Sequence, residues 1–167
     1  METLDRERQT CRVRRLRPAD LDRVIALDAL VTGRERRGYF VHKLEENLLD
    51  TSVQVSLGAE MDGILVGFLL ARVWTGEFGV TDPVAVLDTI GVQPAFQQHG
   101  VGDALLDQLA TNLRGLNVST LRTEVAWDQF ALLRFFHHHG FRPAARVCLD
   151  LDLAGRFELD ARERLLR

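Results

Sequence analysis

Apolar residues recur along this chain at two different spacings, and each spacing predicts one kind of secondary structure. Apolar side chains three and four residues apart form a stripe on one face of an α-helix. Four stretches have this spacing, at 19–30, 34–50, 100–115 and 128–140. We therefore expect four helices, the third ending at Gly115 and the fourth at Gly140.

Other stretches alternate between apolar and polar residues or are apolar throughout, as strands are. They lie at 13–16, 52–60, 64–74, 84–92, 119–127 and 145–153. The turn Met61-Asp62-Gly63 is expected to join the second and third of them as a hairpin. Residues 75–83 combine glycines, a proline and charged residues, so we expect a loop there.

The order of these elements predicts the fold class. Hairpins dominate the first half of the chain, whereas strands and helices alternate in the second half. This order favours an α/β protein with a mixed, mostly antiparallel sheet flanked by helices. The length of 167 residues is typical of one domain, so we expect a single domain over 1–167.

Composition and charge narrow the classes of partner. The chain is 46% hydrophobic and 27% charged, and its net charge of −3 favours neither nucleic acid nor an anionic membrane. Its N-terminus is charged where a secretory signal is apolar, and no apolar stretch is as long as a membrane span. We therefore expect a cytoplasmic protein. The locally basic run from Arg6 to Arg17 is expected to be a solvated strand or arm.

Cysteine and histidine positions give no indication of a metal site. Cys11 and Cys148 are far apart in the sequence, so we expect both to be reduced and Cys148 to be buried. The consecutive histidines at 137–139 would point about 100° apart around a helix, which prevents them from sharing one ion.

The transition from the strand at 84–92 to the helix after Gly100 carries the clearest chemical pattern. The intervening residues include Gln97, Gln98 and His99, followed by Gly100, Val101 and Gly102. A strand that enters a helix through a glycine loop presents unpaired N–H groups at the positive end of the helix dipole, where anions bind. Glycine also lets a bulky phosphate approach those amides.

Two well-known phosphate loops do not match this segment. A Walker loop has Lys and then Ser or Thr after its last glycine, but Asp103 and Ala104 follow Gly102. A dinucleotide-binding loop has a further glycine three residues later, where this chain has Leu105.

The segment instead resembles the acyl-coenzyme A loop of the GNAT-type N-acetyltransferases. That loop has Val, any residue, Pro, two residues, Gln or Arg, two residues, Gly, any residue, and Gly or Ala. The fixed places are filled here by Val92, Pro94, Gln97, Gly100 and Gly102. The closing "FFHHHGF" also resembles the family's last helix, and the resemblance extends over about 12–153. It implies a GNAT-like acyl-CoA N-acyltransferase fold.

The resemblance also implies where acetyl-coenzyme A (acetyl-CoA) binds. Main-chain groups of Ile90, Gly91 and Val92 would contact its pantetheine arm, and the amides from Gln98 to Asp103 would surround its pyrophosphate. The residues so assigned to the loop are Gln97, Gln98, His99, Gly100, Val101, Gly102 and Asp103. Many relatives have Arg or Lys where this chain has the uncharged side chains of residues 97–99. We therefore expect the affinity for acetyl-CoA to vary only modestly with salt.

The last predicted helix carries further expectations. Asp128 is expected to cap its N-terminus, at a place where the family often has an Asn that contacts the cofactor. Phe135, Phe136 and Phe141 are expected to pack in the core.

Acetyl transfer to an amine requires a group that accepts the amine's proton. Asp88 interrupts an apolar strand two residues before the expected pantetheine contacts, which makes it the first candidate. Glu124 on the next strand is the second. For each, a purely structural role remains an alternative, such as a salt bridge for Asp88 or a solvent-facing position for Glu124.

The expected source of a proton for the leaving thiolate departs from the family pattern. Many relatives have a tyrosine four residues before the closing glycine, where this chain has Phe136. The chain's one tyrosine is Tyr39, on the second predicted helix, which borders the acceptor site in this family. We expect Tyr39 either to contact substrate or to pack in the interior. Water, His137 or His138 are the alternatives, and a free thiol with a pKa of roughly 8.5 leaves without a dedicated acid at modest cost.

Together these features predict an N-acetyltransferase that moves acetyl from acetyl-CoA to a primary amine by direct attack in a ternary complex. The acceptor is left open between a small-molecule amine and a protein N-terminus or lysine. A CoA-binding sensor or scaffold with little turnover is the alternative, because of Phe136. Homodimers are common in the family, and no metal or nucleic acid is expected.

Overall fold

The computed structural model describes residues 11–49, 55–75 and 81–153. The strands in these ranges are β1 (Arg12–Arg15), β2 (Leu57–Met61), β3 (Ile64–Trp74), β4 (Val84–Val92) and β5 (Thr120–Thr123). The helices are α1 (Leu21–Thr32), α2 (Arg37–Leu49), α3 (Val101–Gly115) and α4 (Phe130–His138). The chain divides into two compact units between Glu124 and Val125, the first containing the strands and α1–α3 and the second containing α4.

The strands form one sheet in chain order, β1-β2-β3-β4-β5. Neighbours from β1 to β4 are antiparallel, whereas β5 runs parallel to β4 after the α3 crossover. This arrangement confirms the predicted mixed, mostly antiparallel sheet with flanking helices. The β2–β3 connection is a two-residue turn in which Asp62 and Gly63 have φ values of 52° and 76°. Positive φ at both positions is the type I′ geometry that matches strand twist.

The two faces of β3 pack against different helices. Phe68 and Leu70 are fully buried in a cluster with Val24, Leu27 and Phe40 of α1 and α2. Gly67 points the other way, and a Cβ there would lie 2.8 Å from Cγ1 of Val101 and 3.4 Å from Cδ1 of Leu105. The absent side chain therefore lets the first turn of α3 lie directly on the sheet.

The basic run near the N-terminus is only partly solvated in its described portion. Arg12 and Arg15 are exposed. The Arg14 side chain is only 15% exposed, with its Nη1 2.7 Å from Asp20 and its Nε 2.6 Å from Glu60. The expectation of a solvated run is therefore wrong for Arg14, because two carboxylates on neighbouring elements hold its guanidinium.

The segment after α4 differs from its prediction. Residues 141–153 contain no strand, so the strand expected at 145–153 is wrong. The apolar members of that alternating segment are exposed, among them Val147 and Leu149. Cys148 is also exposed rather than buried. Alternation specifies two faces, but a strand also requires a neighbour for its N–H and C=O groups.

Helix α4 begins two residues later than expected. Its N-cap is Gln129, which makes no side-chain capping bond, so the prediction that Asp128 caps the helix is wrong. Phe136 is buried as expected, with ring centroids 5.5 Å from Phe135 and 4.9 Å from Phe141. Within the described ranges, no helix has both the length and the apolar character required to cross a membrane.

Candidate functional site

Strands β4 and β5 pair along only part of β4. Their register runs from Val84 opposite Thr120 to Leu87 opposite Thr123. At the last pair, the Thr123 hydroxyl donates to the Leu87 carbonyl at 2.9 Å. Beyond it, β4 continues to Val92 along β3, and no described strand pairs with its other edge. The main-chain groups of residues 88–92 on that edge are therefore placed to bind an extended ligand.

A β-bulge marks the point where this open edge begins. Leu70 of β3 is opposite Thr89, but Ala71 is opposite Leu87, so Asp88 is the additional residue on β4. A bulge bends the strand and redirects a side chain, and bulges are common beside active sites. The backbone geometry thus places Asp88 where the strands diverge.

The open edge leads into the predicted phosphate loop through a local network. The Gln97 side chain donates from Nε2 to the Val92 carbonyl at 3.0 Å. The His99 ring nitrogen Nδ1 lies 2.7 Å from the Gln97 carbonyl. Gln97 and His99 therefore hold the loop against the end of β4.

Two residues of this loop have left-handed backbone conformations. Gln98 has φ of 63° and Gly100, the N-cap of α3, has φ of 78°. A Cβ on Gly100 would approach nothing closer than an Asp103 carboxylate oxygen at 3.9 Å, so its conformation rather than crowding favours glycine here. Gly102 is half-buried and Val101 is buried beneath the loop.

The amides of the loop are available to a ligand. The Ala104 amide donates to the Gly100 carbonyl at 2.9 Å, which closes the first helical turn. In the described part of the chain, the amides of residues 98–102 donate to no backbone carbonyl. These N–H groups lie at the positive end of α3 and suit an anion.

The side chains of the loop add almost no positive charge. Gln97, Gln98 and His99 are exposed, and Asp103 places a carboxylate in the first turn of α3. An anion held here would be bound by main-chain dipoles, since the flanking carboxylate opposes it.

Asp88 lies within a charged cluster on the α2 side of the sheet. Its Oδ1 is 3.1 Å from Nη2 of Arg72 on β3 and 3.9 Å from Nζ of Lys43 on α2, and its side chain is 14% exposed. The salt bridge that was the structural alternative for Asp88 is thus present. Its role as a base stays a prediction.

Tyr39 lies in the field of the same cluster. Burial raises the pKa of its phenol first, and the negative charge of Asp88 raises it further. The Arg36 guanidinium lies 5.0 Å from the Tyr39 ring centroid, and its Nε and Nη2 donate to the buried Asp28 at 2.8 and 2.5 Å. Tyr39 is therefore half-buried, uncharged near neutral pH and fixed in place by Arg36.

The remaining predicted residues lie elsewhere. Glu124 follows the end of β5 and is exposed, and Asp128 is exposed in the second unit. Phe136 occupies the interior of that unit. In the described ranges, no three His, Cys, Asp or Glu side chains come together as a metal-ligand set.

Sequence reasoning did not identify Lys43, Arg72 or the Arg36–Asp28 pair. The available signal was positional, because Arg72 interrupts the apolar strand β3 and Asp88 interrupts its neighbour β4. Opposite charges in two adjacent apolar strands suggest a buried pair once the register is known.

These features define a protein in which the open edge of one strand leads into a glycine loop whose amides suit an anion. The sequence model of the acetyltransferase (GNAT) family matches residues 20–141. The chain belongs to that family, as the loop pattern predicted.

Solved structures agree on the fold. A transcriptional regulator from Bacillus halodurans has a TM-score of 0.72 at 18% identity, over 86% of this chain and 100% of that chain. The aminoglycoside N-acetyltransferase AAC(6')-Iy in complex with CoA has a TM-score of 0.72 at 19% identity, over 86% of this chain and 95% of that chain. A ribosomal-protein-alanine N-acetyltransferase from Brucella melitensis biovar Abortus has a TM-score of 0.67 at 21% identity, over 86% of this chain and 98% of that chain. Comparison with curated protein sequences finds no match.

Proposed function

We propose that this protein is an N-acetyltransferase that moves acetyl from acetyl-CoA to a primary amine by direct attack. The observation that carries the proposal is the open edge of β4 leading directly into the amides of residues 98–102. One ligand with an extended arm and a diphosphate would use both features. Family membership and the CoA complex of a structural neighbour support the same ligand.

The described donors fit such a ligand. The pantetheine arm carries amide groups, which would pair with the main chain of Ile90, Gly91 and Val92. The pyrophosphate would accept from the amides between Gln98 and Asp103, where Gly100 leaves room for it. Acetyl-CoA itself supplies the activated acetyl thioester.

The chain's side chains then provide the proton transfers. Asp88, directly or through a water, accepts a proton from the acceptor amine and makes its nitrogen lone pair available. That nitrogen attacks the thioester carbonyl carbon and the carbon–sulfur bond breaks, while the second proton leaves the nitrogen and passes through water to the departing thiolate. A main-chain N–H near Val92 polarises the carbonyl oxygen. Tyr39 remains protonated because its pKa is raised, so its hydroxyl would contact the acceptor as a hydrogen-bond donor.

The alternative is a CoA-binding module with little turnover, which Phe136 at the family's tyrosine position favours. Cys11 and Cys148 are free thiols, which suits the reducing cytoplasm under either proposal. Thiol release from acetyl-CoA with a panel of amines separates the two. An enzyme accelerates release with at least one amine, whereas a sensor binds CoA and shows no acceleration with any.

Replacing Asp88 with Asn tests the base. We expect turnover to fall by about a hundredfold or more, with little change in CoA affinity, because removing a general base affects the chemical step. An Asp88→Asn enzyme with unchanged turnover and an unchanged pH–rate profile would exclude this role. Glu124→Gln tests the second candidate in the same assay, and a loss of turnover there with none in Asp88→Asn would move the base role to Glu124.

A further inference from the structure

The face of the sheet around Asp88 carries more cations than the ion pair requires. Arg72 is opposite Val86, and Val86 is opposite Arg122 on β5, so both arginines lie on one face, on either side of Val86. Arg122 is thus a second arginine on the face that carries the Arg72–Asp88 pair.

The Arg72 guanidinium has donors that the protein does not use. A guanidinium has five N–H donors, and Asp88 is the only polar partner of Arg72 among the described residues. Its Nε is buried without a hydrogen-bond acceptor. The side chain is nevertheless 26% exposed, so part of the group is accessible to a ligand.

An aromatic ring lies against this guanidinium. Cζ of Arg72 lies 4.7 Å from the centroid of the Trp74 ring, which is itself 40% exposed. The Trp74 ring and the Asp88 carboxylate thus hold the Arg72 guanidinium from two sides. A pre-oriented guanidinium suits a planar carboxylate, which accepts two parallel hydrogen bonds.

The second arginine strengthens the same preference. Arg122 is half-buried, and in the described ranges no carboxylate or carbonyl oxygen contacts its side chain. The charge of Arg122 therefore disfavours a further cation on this face and attracts an anion.

We propose that Arg72 recognises a carboxylate on the acceptor, so that the acceptor is an amine that also carries a carboxylate, such as an amino acid or an acidic peptide. This inference rests on the proposed N-acetyltransferase function. Asp88 would face the amino group while Arg72, which contacts Asp88, binds the acid. The amine and the carboxylate of the acceptor would thus be bound by adjacent groups of opposite charge, Asp88 and Arg72.

The test compares acceptors that differ only in the carboxylate. One arm pairs free amino acids with their α-amides, and a second pairs Ala-Glu amide with Ala-Gln amide, which separates an α-carboxylate from a side-chain carboxylate. Spermidine and kanamycin represent polycationic amines. We expect kcat/KM for the acid of at least one pair to exceed that for its matched amide by about tenfold or more, and the polycations to be poor acceptors.

Arg72→Met keeps an unbranched apolar side chain and removes the charge. We expect the ratio of acid to amide kcat/KM to fall toward one in this variant, with Arg72→Lys intermediate. Because the ratio is taken within each variant, a loss common to both acceptors cancels. Arg114→Met, at an exposed position in the last turn of α3, is the matched control and should keep the ratio.

The outcomes separate this inference from the function on which it rests. Amides acetylated as well as acids, or polycations preferred, would overturn carboxylate recognition while leaving the acetyltransferase intact. An unchanged ratio in Arg72→Met would overturn the role of Arg72 in the same way. CoA binding without thiol release for any acceptor would instead overturn the enzymatic function, and this inference with it.

Discussion

Replacing Gly100 with valine separates the backbone requirement of the phosphate loop from its ligand-binding role. Gly100 has φ of 78°, and Gly33 at the end of α1 has φ of 70°. A Cβ at Gly33 would meet nothing within 4 Å, and at Gly100 only an oxygen at 3.9 Å. Gly33→Val is therefore a matched control, because it places the same side chain in the same backbone region with similar space around it.

The expected cost in stability is the same for both variants. A left-handed conformation costs a residue with a Cβ roughly 1–2 kcal/mol, and a β-branched residue is at the upper end. In a chain of this size the cost corresponds to a Tm lowered by roughly 2–8 °C. Both proteins should remain folded, with similar Tm values in thermal unfolding followed by circular dichroism.

The expected effect on CoA binding differs. Valine at 100 occupies the space through which a phosphate reaches the loop amides, so CoA affinity should fall by at least about tenfold, or roughly 1.4 kcal/mol. Gly33→Val should bind CoA as the parent protein does. Isothermal titration calorimetry with CoA measures both. Equal affinities in the two variants would refute the assignment of the loop.

Three further predictions concern other described groups. Asp20 has its pKa lowered chiefly by the Arg14 hydrogen bond, so its contribution is present above the ordinary pKa of about 4 and is lost as pH falls through its lowered pKa. Asp20→Asn should therefore lower the free energy of unfolding, measured by urea titration, by about 1–3 kcal/mol at pH 7. The free energy of unfolding of this variant should also fall less steeply below pH 4 than that of the parent protein, and an equally steep fall would contradict the prediction. Tyr39→Phe should lower kcat by at least about tenfold with unchanged CoA affinity, and an unaltered kcat would leave Tyr39 a packing residue. Gly91→Ala should destabilise the fold by about 1–3 kcal/mol, because its Cβ would lie 2.7 Å from Cε1 of Phe68; wild-type stability would show that Phe68 moves without cost.

The segment from β4 to α3 could be predicted from the sequence because its signals are local. The apolar run of residues 84–92, the glycines at 100 and 102 and the helical stripe after them act within a few residues of one another. The end of α3 at Gly115 is a local signal too, and the structure confirms it.

Features that depend on strand pairing could not be predicted in this way. The pairing of β5 ends at Thr123, although the apolar pattern continues to Trp127, which is 83% exposed. The bulge at Asp88 and its contact with Arg72 require the register between β3 and β4. Alternation alone likewise predicted a strand at 145–153 that has no neighbouring strand in the described chain.

The most direct test of the account is an amide chemical-shift titration by NMR with two ligands. CoA contains the pyrophosphate, whereas pantetheine has the same arm without it. We predict that both ligands shift the amides of 90–92, and that only CoA produces large shifts in the amides of 98–103. If CoA did not shift the amides of 98–103, or if both ligands shifted them equally, the claim that these main-chain nitrogens hold a diphosphate would be contradicted.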